Sequence, residues 1–107
     1  MVWYSDLYTG KLISPEKDKV RHSIEAGTYP AGVYLLVIPG NEENQLEIFQ
    51  AGELRHSYVR RHLLMIAGIA FTKEEAKGLA QRIVQDTVNE RGDADVRAFL
   101  LNKAAVS

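Results

Sequence analysis

The densest group of chemistry-bearing side chains is the segment Arg55, His56, Tyr58, Arg60, Arg61 and His62, and no acidic residue occurs between Glu53 and Glu74. Arginine forks bind phosphate or carboxylate at two points, and a tyrosine ring stacks on a base. The segment therefore predicts an anion or nucleic-acid site on Arg55, His56, Tyr58, Arg60 and Arg61. The competing reading is a solvated surface segment, paired with the acidic residues Glu42, Glu43 and Glu47 and leading into a buried strand. A net charge of −1 favours the second reading, because a nucleic-acid site presents a broad basic face.

The other constellations are sparser. Asp93 and Asp95 form a D-x-D pair, a spacing that suits Mg²⁺ with phosphate help but also ordinary turn and cap residues. His56 and His62 are not at the i, i+4 spacing of a two-histidine zinc site, so no metal is expected. No phosphate loop, dinucleotide fingerprint or nucleophile elbow occurs, and no cofactor is expected. The absence of cysteine removes disulfides and thiol catalysis and agrees with a reducing compartment. Two further positions are open to a ligand. One is the strand ends Pro39, Gly40 and Asn41 with Thr72 and Lys73, where ligands sit in open α/β sheets. The other is the aromatic group Trp3, Tyr4 and Tyr8, read either as an interface or as internal packing. A concave pocket holding Asp6, His22 or His56 against other polar groups would revive the reading of a small enzyme.

These residues need a scaffold, and the sequence supplies one around Leu63–Phe71, LLMIAGIAF, which runs without a charge. The run is too short for a membrane span and fits a strand covered on both faces. Val33–Ile38 is a second strand of the same kind, and Val2–Tyr8 a third at an edge. Gln45–Phe49 alternates with period two and makes Gly40–Asn44 a hairpin loop; the alternative is a helix over 42–51. A short helix or irregular segment follows over Glu53–Arg61. Ser14-Pro15-Glu16 starts a helix running to about Ala26. Thr72 and Glu75 form a capping box for a second, whose apolar face is Ala76, Leu79, Ala80, Ile83, Val84, Thr87 and Val88, closed by Gly92. Val96–Leu101 suits a returning strand slightly better than a helix capped by Asp93 or Asp95, and 102–107 reads as a frayed tail. With 107 residues, 46% hydrophobic and 25% charged, the chain is predicted to be one α/β domain. Its expected form is a two-layer α+β fold, a mixed sheet of four or five strands with two main helices. The alternative is a three-layer parallel sheet.

The order GVYLLVI, NQLEIF, IAGIAFTKEEA and GDADVRAFL, spanning Gly32–Leu101, resembles a family of small bacterial proteins of about this length with no assigned activity. The resemblance implies a stable shared fold and no chemistry. It also implies a glycine after the central strand, where this chain has Phe71-Thr72-Lys73, so a phosphate cradle is not expected there. The function expected is a non-enzymatic binding or assembly module in the cytoplasm, self-associating or with a protein partner, and without a membrane. An anion- or nucleic-acid-binding accessory protein is the alternative, and a small enzyme without a legible motif the third.

Overall fold

The computed structural model describes residues 2–41 and 44–106, with side chains for 2–41 and 44–102. Glu42, Glu43 and Ser107, which belong to the acidic loop and the tail, lie outside the described residues. In chain order the elements are β1 (Trp3–Thr9), α1 (Lys17–Glu25), β2 (Tyr34–Pro39), β3 (Glu47–Gln50), α2 (Ser57–His62), β4 (Leu63–Ala70), α3 (Lys73–Arg91) and α4 (Val96–Val106). Short 3₁₀ turns, Ser14–Glu16 and Ala51–Arg55, precede α1 and α2. Among the described residues no helix is long and apolar enough to cross a membrane.

The uncharged run is the interior strand. The sheet order is β1-β4-β2-β3. β4 pairs parallel with β1 and antiparallel with β2, which also pairs antiparallel with β3. The sheet is therefore mixed and four-stranded. Residues Met65–Ala70 are all buried, so cover is needed on both sides. Met65, Ala67 and Ala70 face a core closed by α3 and α4. Ile66 and Ile69 face a second core, closed by α1 and the Ala51–Arg55 turn through Val20, Ile24 and Leu54. A strict alternation would not place Met65 and Ile69 on opposite sides. The pairing with β2 explains it: Leu36 lies opposite Gly68 but Val37 lies opposite Ile66, so Ala67 is an extra residue in β4. This bulge reverses the faces after it.

The helix starts follow local chemistry. Thr72 Oγ1 accepts from the Glu75 amide at 3.0 Å, as the capping box requires. The Glu75 carboxylate does not complete that box. It accepts instead from the Phe71 amide at 3.2 Å and the Leu12 amide at 3.0 Å, and so ties the loop after β1 to the start of α3. Gly92 at φ 79° ends α3 in the left-handed region, as expected. The apolar face of α3 is narrower than its spacing suggests. Ala76, Leu79 and Ile83 are buried, whereas Val84 and Val88 are each 41% exposed. Ser14 does not cap: the turn it opens has no side-chain cap bond.

The strand expected within 45–49 forms over Glu47–Gln50 on β2, which excludes the alternative helix over 42–51. One expectation is corrected. The returning strand at 96–101 is the helix α4, which also takes in most of the expected tail. The Asp95 carboxylate accepts from the Ala98 amide at 3.0 Å and fixes the first turn. Val96, Phe99 and Leu100 then fall on one buried face, a spacing of three and four.

β1 lies close against β4 at Gly68. A side chain at Gly68 would meet Tyr8 O at 3.1 Å and Leu36 Cδ1 at 3.2 Å. Gly68→Ala is expected to lower stability by roughly 1–3 kcal/mol, because backbone and a packed side chain must both give way. Urea unfolding measures it; an unchanged midpoint would contradict the close approach of β1.

Candidate functional site

The basic segment is shaped by two short elements. Ala51 and Leu54 are fully buried and anchor the 3₁₀ turn to the sheet. Arg60, one helical step along, folds back over that turn: its Nη1 donates to Leu54 O at 2.6 Å and Arg55 O at 3.2 Å. His62 Nδ1 lies 2.6 Å from Tyr58 O. A carbonyl only accepts, so this nitrogen carries the hydrogen and leaves Nε2 as the free ring position.

The five residues expected to bind an anion do not converge. Arg55 and His56 border one cleft with Tyr29 and Gly52. Arg60 borders another with Trp3 and Arg21. Tyr58 turns to a third, and Arg61 is exposed. A helix turns about 100° per residue, so charges adjacent in sequence radiate from α2. Glu47 makes no ion pair with this segment among the described residues.

The third cleft has a more coherent chemistry. It lies between the β2–β3 hairpin and α2 and encloses about 200 Å³. Its floor is apolar, formed by Val37, Phe49, Val59 and Leu63. Glu47, Glu53, Tyr58 and His62 stand around it. Glu47 accepts from Asn44 Nδ2 at 2.9 Å. Tyr58 is 60% exposed, and its ring lies 6.5 Å from that of His62. Between the lining residues Pro39 and Asn41, the Gly40 amide donates to His62 O, and a Cβ there would lie 2.6 Å from that oxygen. The lining holds no serine, cysteine or lysine to act as a nucleophile. No group of three His, Asp or Glu suited to a metal occurs among the described residues. The arrangement can hold a positively charged group between carboxylates and beside an aromatic face, with its apolar part on the sheet.

Sequence reasoning missed Glu47, Glu53 and Phe49 as members of one site. Two signals pointed there. Period two in β3 puts Glu47 and Phe49 on one face, and the i, i+4 spacing of Tyr58 and His62 puts both on one side of α2.

Asp6 borders a polar cleft with Ser5, Lys17, Asp18 and Arg21. Other candidates have structural partners. Trp3 packs against the α1-side core, with the Arg21 guanidinium 5.0 Å above its ring. Tyr4 is 1% exposed and Tyr8 9%, so these two lie within the fold, whereas Trp3 is half-buried. Asp93 accepts from Arg91 Nε at 3.0 Å and from the Asp95 amide at 3.0 Å, while Asp95 caps α4. The Arg91 hydrogen bond holds the Asp93 carboxyl below its usual value. Pro39 and Asn41 direct their carbonyls to Arg97 Nη1, at 2.6 and 3.2 Å, which fastens the end of β2 to α4.

Comparison of the chain with family models, curated proteins and solved structures finds no match.

Tyr8 gives a pH-dependent test of the core on the sheet face opposite the cleft. Its hydroxyl donates to Asp86 Oδ2 at 2.5 Å, and its ring stacks on Tyr4 at 6.0 Å. Burial, then the Asp86 hydrogen bond and charge, push the phenol well above its usual value. A folded-state value above the unfolded one gives stability that is complete below about pH 10 and is lost as pH rises past it. Tyr8→Phe is expected to cost about 1–3 kcal/mol at neutral pH and to flatten the alkaline fall in stability. Urea unfolding from pH 8 to 11 checks this; equal slopes in both proteins would contradict it.

Proposed function

We propose that this chain is a non-enzymatic binding module that takes an organic cation in the cleft between β3 and α2. One observation carries the reading. Two carboxylates, Glu47 and Glu53, share an apolar-floored cleft with an exposed tyrosine, and no Lys or Arg forms an ion pair with either carboxylate among the described residues. A structural ion pair would already have neutralised them. About 200 Å³ is smaller than a typical drug-sized pocket of roughly 300–1,000 Å³. It suits an amine or guanidinium on a short apolar stem.

Recognition divides between two contacts. The stem covers Val37, Phe49 and Leu63, which removes apolar surface from water. The cation lies near the carboxylates and the Tyr58 face at the rim, where solvent screens it. Affinity for such a small ligand is therefore modest and depends on salt. The alternative anion reading has weaker support, because the five residues face separate clefts and Arg60 Nη1 already donates to two carbonyls of its own chain.

Titration with benzylamine and with butylguanidinium, followed by backbone amide shifts, tests the reading. Shifts are expected at Phe49, Tyr58 and Leu63. Glu47→Gln and Glu53→Gln are each expected to weaken binding by about fivefold, the scale of one partly exposed charge contact. Benzyl alcohol, a neutral molecule of similar shape, is expected to bind far more weakly. Equal binding of the alcohol, or shifts confined to other surfaces, would sink the proposal.

A further inference from the structure

The edge of the sheet beside the cleft has unused backbone groups. β3 is an outer strand, bonded to β2 alone. The Ala51 amide donates to Val33 O at 2.9 Å, and the same register pairs Leu35 with Phe49 and Val37 with Glu47. Bonded and non-bonded pairs alternate in an antiparallel ladder. Glu47, Phe49 and Ala51 therefore turn their amides and carbonyls inward to β2, and Ile48 and Gln50 turn theirs outward. Among the described residues, no other element bonds the backbone of Ile48 or Gln50.

Side chains alternate as well, but across the faces of the sheet. Glu47 and Phe49 border the cleft, while Ile48 packs toward the core of α3 and α4. A strand laid along β3 would thus put every second side chain on the cleft side. We infer that β3 accepts an extended peptide as a fifth strand, with one lysine or arginine of that peptide inserted in the cleft. This deepens the cation-binding reading and rests on it. Charge selects the occupant. A second copy pairing β3 against β3 sets Glu47 opposite Glu47 when centred on that residue, and like charges across a ladder oppose pairing; in any register the strand Glu47–Gln50 brings no Lys or Arg to the cleft. A basic peptide meets the same carboxylates with opposite charge. Main-chain bonds then give affinity and the cleft gives selection.

Gln50 offers a specific test. Its φ of −75° and ψ of 145° suit proline. Its amide points away from β2, so Gln50→Pro removes an outward donor without breaking the ladder. The probe is the blocked pentapeptide Thr-Val-Arg-Val-Thr, measured by calorimetry beside free butylguanidinium. Gln50→Pro is expected to bind butylguanidinium as the parent chain does and to lose about tenfold or more in peptide affinity, for want of main-chain bonds. Peptide N-methylated on alternate amides is expected to lose as much on the unaltered protein, which keeps the test independent of how the variant folds. Replacing the arginine by citrulline is expected to weaken binding similarly.

Undiminished peptide binding by Gln50→Pro and by N-methylated peptide would overturn the added strand. Parent chain that dimerises, and a Gln50→Pro variant that does not, would assign the edge to a second copy and overturn the peptide. Failure of the underlying reading looks different: butylguanidinium then fails to bind even the parent chain, and citrulline and arginine peptides bind alike.

Discussion

A strand with no polar side chain must be covered on both faces, and β4 imposes that condition on the whole chain. Its residues Met65–Ala70 are buried, with α3 and α4 on one side and α1 and the Ala51–Arg55 turn on the other. The extra residue at Ala67 lets a single strand serve both cores with its methionine and isoleucines in the right places. Gly68 then admits the backbone of β1 at a distance that a side chain would not allow. The two layers are unequal. α3 has 19 residues and spans its face, whereas α2 has only 6. The end of the sheet under α2 is consequently only half covered, and that incomplete cover is the cleft.

Much of this scaffold was legible because the deciding interactions are local or periodic. The uncharged run identified β4, and the Thr72–Glu75 spacing identified the start of α3. The hairpin reading of 45–49 prevailed over a helix because Leu46, Glu47 and Ile48 alternate, and alternation is what the edge of a sheet requires. The end of the chain was misread for the opposite reason. Val96, Ala98 and Leu100 alternate, but Val96, Phe99 and Leu100 also recur at helical spacing. The Asp95 cap and the fork of Arg97 on the β2–β3 loop decide between them, and the second of these is a tertiary contact. Similarly, the periodicity of α3 correctly located Leu79 and Ile83, but the actual width of contact left Val84 and Val88 at the surface.

The site was less legible than the scaffold. A run of basic residues looks like one patch when read along the chain, but the Ala51–Arg55 turn and α2 together distribute them over three different clefts. The acidic partners of Tyr58 and His62 come from β3 and the following turn, and only the fold brings them together. Composition worked against the reading too: a balanced net charge hides a local excess of carboxylate. The proposed cation recognition and strand addition both rest on the same feature, an edge strand bonded on one side only.

Native-state hydrogen exchange tests that account most directly, because it reads the covered interior and the bare edge in one experiment. The amides of Met65–Ala70 are expected to exchange only through global unfolding, with the free energy that urea unfolding gives. The Ile48 and Gln50 amides, pointing away from β2, are expected to exchange nearly as freely as an open chain. Rapid exchange along β4, or strong protection of Ile48 and Gln50 in dilute protein, would contradict it.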